Sequence, residues 1–384
     1  MLDWLRISLS RRHDLGQIWT ARLRGEAWRR ERQNLDEAKI ITTMTLLLLA
    51  RIRAAAKPES EELFRPYDHS SHCGPRSDMA SRDCINLIFN STYYIYSTTD
   101  GFPGWGGKTF YVWSSQDLVS WQRTPEPVLT LNGTSGNVPW SDGNAWAPTI
   151  HHRDGTYYLY FSGDNPTYDR KTIGVATGPS PTGPFTAQPT AMILNNEALN
   201  ASQAIDPAAF VDPATGKYYL FWGNGNPLYA ELADDMISLK PNTLSAVTGL
   251  TNFTEASFLV YRKPYYHYTF SHGDTGNADY YVSYATSSSV HGPWNYQGHV
   301  LDKRPSEGIL ATGSSSTVNV PGTDDWYMAY HRFKIPGGDG TDREICIDRA
   351  TFDWHTGVMR PVTPTLQGVN AERVPSGRYH GWWA

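Results

Sequence analysis

Apolar and polar positions alternate through GTYYLYFSG (155–163), the pattern of a strand with one buried face, and the chain repeats this rhythm. STYYIYSTT (91–99), GKYYLFWGN (216–224), KPYYHYTFS (263–271) and DDWYMAYHR (324–332) follow the same plan. Each has a polar or turn residue, two aromatics and then alternating apolar positions, the period-two patterning and aromatic enrichment that strands favour. The first aromatics are Tyr93, Tyr157, Tyr218, Tyr265 and Trp326, with gaps of 64, 61, 47 and 61 residues. Regular spacing on this scale predicts a repeat architecture.

A second strand-like segment follows each pair: TFYVWSS (109–115), TIGVATG (172–178), PLYAELA (227–233), DYYVSYATS (279–287) and EICIDRATF (344–352). Gly, Pro, Asn and Asp turns separate the strands, and no helical pattern stands out after residue 60, so the fold class is all-β. Each unit has room for four strands, which fits a five-bladed β-propeller over 61–384 better than a sandwich.

Residues 1–60 look different. An Arg-rich stretch precedes the apolar run IITTMTLLLLA (40–50), which is too short to span a membrane. It resembles a signal-peptide core but lies too deep in the chain. One reading places the true start downstream of Met1; the other is a cytoplasmic protein with an unrelated tail. Three cysteines, Cys73, Cys84 and Cys346, are too few for a disulfide scaffold, and a single Cys73–Cys84 bridge is permitted but not demanded. Sequons at Asn90, Asn132, Asn200 and Asn252 are compatible with a glycosylated secreted protein.

Composition narrows the partner. With 14 Trp, 23 Tyr and a net charge of −5, the chain has no basic stripe among its aromatics, which argues against nucleic acid. Tyr and Trp offer flat faces and hydrogen-bonding edges that suit sugars, although most must simply fill the core.

In a propeller the innermost strand of each blade lines the axis and precedes the aromatic-pair strand. Ten to twelve residues upstream of the five aromatics stand Asp83, Trp146, Asp206, Glu255 and Ser314. Three carboxyls converging on a narrow channel are electrostatically costly and point to chemistry or ions. Singly, each acid has a plainer reading. Asp83 could pair with Arg82, Asp206 could start a turn before Pro207, and Glu255 could be a solvated residue where a strand begins. Their shared phase carries the argument. Two carboxyls across a sugar serve glycoside hydrolysis, one protonating the leaving oxygen and the other activating water or attacking directly. A third acid can orient the first and raise its pKa.

These motifs together resemble glycoside hydrolase family 43 over about residues 65–365. SRDCINLIFNSTYYIYST is similar to the opening blade whose Asp is the general base, here Asp83, with Cys84 where Pro is usual. NAWAPTIHHRDGTYYLYFSG matches the blade whose Trp flanks the sugar, here Trp146, with Asn144 beside it. AIDPAAFVDPATGKYYLFWG matches the blade of the pKa-modulating Asp, here Asp206. TEASFLVYRKPYYHYTFS matches the general-acid blade, here Glu255, with Ala256 where Gly is common. TDREICIDR resembles the segment whose Arg reaches the sugar, here Arg343. Ser314 stands where the family commonly has a His near the axis, which puts a central calcium ion in doubt. His331 reads as a packed structural residue.

The resemblance implies an inverting mechanism, with about 6.5–9.5 Å between the Asp83 and Glu255 carboxyls. It also implies an arabinose- or xylose-containing oligo- or polysaccharide as partner, no organic cofactor, no membrane or nucleic-acid partner, a monomer, and secretion. The Gly-rich stretches DGFPGWGGKTF (100–110) and FKIPGGDGTDRE (333–344) are expected at the pocket rim, with Trp105 read equally as a stacking residue or as an exposed structural one. YHRFKIPGGDG looks most like members that remove terminal α-L-arabinofuranosyl units. A β-xylosidase and an endo-arabinanase are the alternatives on the same fold, and an inactive sugar-binding propeller is the alternative of another class. A WD-repeat scaffold fits poorly, because the repeats are long and lack its Trp-Asp signature.

Overall fold

The computed structural model describes residues 81–375, with side chains from Leu87 onward. The segment 1–60, with its apolar run, and the Cys73–Cys84 pairing lie outside the described residues. Blade one holds β1 (Ser81–Phe89), β2 (Thr92–Thr99), β3 (Thr109–Ser115), β4 (Trp121–Arg123) and the short β5 (Leu129–Thr130), which pairs with β3. Blade two holds β6 (Gly143–Arg153), β7 (Thr156–Asn165), β8 (Arg170–Gly178) and β9 (Thr186–Ala187). Blade three holds β10 (Ala208–Val211), β11 (Tyr218–Trp222), β12 (Leu228–Glu231) and β13 (Ser245–Ala246). Blade four holds β14 (Glu255–Arg262), β15 (Tyr265–His272), β16 (Tyr281–Ser287) and β17 (Asn295–Leu301). Blade five holds β18 (Gly313–Asn319), β19 (Trp326–Phe333) and β20 (Arg343–Ala350).

All named pairings are antiparallel, and the innermost strands β1, β6, β10, β14 and β18 touch in a closed cycle. This is a five-bladed β-propeller. Blade five has three strands among the described residues, one fewer than the repeat suggests. After β20 the chain turns back, bridges Phe352 to Met359, and donates the Val362 N–H to the Val300 carbonyl of blade four.

The doubled aromatics have a physical reason. Side chains alternate across a strand, so each pair supplies one ring to each of two neighbouring layers between blades. Tyr157 and Phe161 pack between blades one and two, whereas Tyr160, on the other face of β7, packs between blades two and three. Likewise Trp326, Met328 and Tyr330 face blade four, while Tyr327 and Ala329 face blade one. Burying each such ring contributes roughly 1.5–3 kcal/mol. The layer joining blades five and one contains Tyr93, Ile95, Val318 and Ile345, so the ring is closed by apolar packing as well as by its inner strands.

One buried group in this scaffold makes stability depend on pH. His267 is fully buried, its Nε2–H donates to the Arg262 carbonyl, and its Nδ1 accepts from the Tyr284 hydroxyl. Burial pulls its pKa from 6.5 down to about 4, so the folded protein holds it neutral. Between those values the unfolded chain binds the extra proton. The stabilisation is therefore complete above about pH 6.5 and is lost as pH falls toward 4, on the order of 3 kcal/mol. Unfolding free energies at pH 7 and pH 4.5 should differ by about 2 kcal/mol less in His267→Gln than in the parent. Equal losses in both proteins would remove this assignment.

Candidate active site

The inner strands begin on one face of the propeller, and four of them carry an extra residue there. In β1, Arg82 faces Thr98 and Ile85 faces Tyr96, so Asp83 and Cys84 together oppose Ser97. The same shift falls between Trp146 and Thr149, Glu255 and Phe258, and Gly313 and Ser316. Such bulges bend the strand and re-aim its side chains. Ala147, Ala256 and Ser314 hold the first bulge position with φ of 43°, 62° and 46°, and Asp206 takes φ 57° at the matching place before β10. Left-handed backbone at non-glycine residues is costly and is concentrated where geometry serves a site. The shared phase of the sequence thus resolves into two positions. Asp206 and Ser314 occupy the left-handed residue, while Trp146 and Glu255 stand one residue before it.

Glu255 and Asp206 are both 7% exposed. Glu255 Oε1 accepts from the Tyr280 hydroxyl at 2.8 Å, and Oε2 accepts from Asn224 Nδ2 at 2.9 Å. Asp206 Oδ2 accepts the backbone N–H of Ala256 at 3.0 Å, while its own N–H donates to Ser162 Oγ at 3.1 Å. One acid thereby fixes the backbone directly beside the other. The backbone of Asp83 belongs to β1; its side chain, and with it the expected carboxyl separation, lies outside the described residues.

Ser314 is buried, donates its N–H to Ser271 Oγ, and holds its hydroxyl 3.4 Å from that of Tyr280. A Cβ at Gly313 would stand 1.9 Å from a Tyr280 ring carbon, so glycine is what admits the ring against β18. His331 stacks on the same ring, 5.6 Å away and 9° from parallel, in the packing role expected of it. Among the described residues no group of three or more His, Cys, Asp or Glu is placed to hold a metal ion. Tyr280 and Asn224 are absent from the sequence-derived set. Asn224 stands two residues after an aromatic-pair strand, a position that could have flagged it; Tyr280 is hidden among strand aromatics.

The two Gly-rich stretches meet. Gly101 N–H donates to the Thr341 carbonyl, and Trp105 Nε1–H donates to the Gly340 carbonyl at 2.6 Å. The carbonyl of Trp105 accepts from Trp146 Nε1 at 2.8 Å and from Asn144 Nδ2 at 3.1 Å. Lys171 Nζ bonds Asn144 Oδ1 and Asp164 Oδ1 and stands 4.9 Å from the centre of the Trp146 ring. Arg343 differs from expectation. Its side chain is fully buried, its Nε and one terminal nitrogen grip Asp100 at 2.6 Å each, and its other terminal nitrogen donates to Thr275. The guanidinium is thus held by Asp100 and Thr275 with its side chain away from solvent.

Comparison with known proteins identifies the family. The family described as "Glycosyl hydrolases family 43" matches residues 79–356. The chain is similar to Beta-D-galactofuranosidase xynD of Aspergillus niger, at 33% identity over 303 residues, 75% of this chain and 84% of that protein. It is also similar to the Arabinoxylan arabinofuranohydrolase of Bacillus subtilis, at 30% identity over 294 residues, 65% of this chain and 55% of that protein. In fold it resembles a solved thermostable family-43 glycoside hydrolase, with a TM-score of 0.66 at 23% identity, covering 80% of this chain and all of the other.

Proposed function

The chain belongs to glycosyl hydrolases family 43, and from that premise we propose that it removes terminal α-L-arabinofuranosyl units from arabinan- or arabinoxylan-type glycans with inversion at the anomeric carbon. The observation that carries the assignment of roles is the pairing of two buried acids. Glu255 is held by a phenol and an amide while Asp206 is bonded to the adjoining backbone N–H. Glu255 protonates the departing oxygen. Asp206 keeps that carboxyl in register, and its charge disfavours a second one beside it. Asp83 takes the proton of a water that attacks from the opposite side of the ring. Similarity to an arabinofuranohydrolase supports the sugar. The four sequon asparagines are all exposed, which supports secretion as the setting.

A second reading rests on similarity to a galactofuranosidase. A β-D-galactofuranosyl unit has the ring configuration of α-L-arabinofuranose with an added hydroxymethyl carbon. The test is hydrolysis of the p-nitrophenyl α-L-arabinofuranoside, β-D-galactofuranoside and β-D-xylopyranoside, with proton NMR of the first sugar released. The arabinofuranoside should show the highest kcat/KM, and β-L-arabinofuranose should appear first. Preference for either other glycoside reassigns the sugar, and α-L-arabinofuranose as first product overturns inversion. Action on debranched arabinan alone would make the enzyme endo-acting.

A further inference from the structure

We propose that Trp105 is a positioning residue that acts on the substrate through Trp146 and Asn144 and not by stacking on the sugar itself. Its indole donates across the rim to the Gly340 carbonyl, tying the loop between β2 and β3 to the loop between β19 and β20. The tie is tight, because a Cβ on Gly340 would come within 2.6 Å of the Gly276 backbone of a third loop, leaving Gly340 little room to move. At the other end of the same residue, the Trp105 carbonyl takes both the Trp146 indole N–H and the Asn144 amide. Trp105 holds φ 54°, a conformation a bulky side chain adopts only when its surroundings impose it, and this turns the carbonyl toward those two donors.

The chain of bonds then continues. Asn144 accepts from Lys171, which Asp164 also holds and which lies near the Trp146 ring. Asn144 itself has φ 50°, left-handed backbone that asparagine tolerates, where the strand leads into Trp146. Releasing the Gly340 end frees the carbonyl at the Trp146 end. A rotated Trp146 weakens sugar binding while leaving Glu255 and Asp206, on blades four and three, in place. Removing such uniform binding raises KM and leaves kcat unchanged.

The proposal rests on the reading that Trp146 borders the sugar, and the experiment separates the two. Trp105→Phe keeps an aromatic ring and the backbone carbonyl while removing the indole donor together with its five-membered ring. Together with Trp146→Phe and the double variant, it is assayed on the furanoside the parent hydrolyses best, with thermal melting alongside. Trp105→Phe should raise KM about fivefold or more with kcat within about twofold, as loss of binding common to ground and transition states requires. In the Trp146→Phe background the same change should add little, since groups acting through one network are not additive. An unchanged KM in Trp105→Phe, or a lowered melting temperature as its only effect, overturns the proposal. Fully multiplicative KM effects overturn it in favour of direct stacking. An unchanged KM in Trp146→Phe instead shows that the assumed sugar position is wrong. A parent protein that hydrolyses no glycoside overturns both.

Discussion

Glu255→Gln is expected to lower kcat by about 10³-fold on an arabino-oligosaccharide and far less on a dinitrophenyl furanoside, within the 10²–10⁴ range that general acids contribute. A sugar alkoxide leaves poorly without a proton, whereas a dinitrophenolate needs almost no help. The gap between the substrates therefore reports proton donation and not general damage. Gln keeps the volume of Glu255 and can still accept from the Tyr280 hydroxyl at one oxygen. Its amide nitrogen then faces the amide of Asn224, two donors where one acceptor stood, at a cost of about 1–2 kcal/mol. That is a modest loss for a closed propeller, so the variant should fold. Equal losses on both substrates would take the general-acid role from Glu255.

The largest effect on stability should come from Asp100→Asn. Asp100 and Arg343 form a side-on pair at 2.6 Å for each contact, and neither side chain reaches solvent. Neutralising the acid strands a buried guanidinium with Thr275 as its other described partner, a change that typically costs 3–5 kcal/mol. At roughly 2–4 °C per kcal/mol for chains of about this size, the melting temperature should fall by about 10 °C. Arg343→Leu in the Asp100→Leu background should recover part of the loss, because it removes the stranded charge. A melting temperature unchanged by Asp100→Asn, with KM strongly raised, would instead return Arg343 to the sugar-binding role the sequence suggests.

The scaffold was legible because its signal is local. All five aromatic-pair segments and all five segments behind them are strands at those positions, since period-two patterning reports burial directly. The site was legible only to within one residue. Counting back from Tyr157 or Tyr265 passes through a bulge, and an inserted residue leaves no mark in the hydrophobic pattern. Arg343 shows a different limit. Its motif lies on β20, but its partner Asp100 is 243 positions away, and nothing near either residue announces a buried ion pair. Tyr280 escaped for a third reason: strand aromatics are plentiful here, and only the glycine opposite, at 313, sets this one apart.

The layer between blades five and one has a consequence for synthesis. Tyr93, Ile95 and Trp113 leave the ribosome more than 200 residues before their partners Tyr327, Ile345 and Ile347. Until then the apolar faces of Tyr93, Ile95 and Trp113 lack their blade-five partners. Such a chain gains its final contacts late and is exposed to aggregation while it waits. A ribosome stalled before residue 345 would thus hold four blades with sticky outer flanks, a natural client for a chaperone, and completion of blade five is the event that buries them.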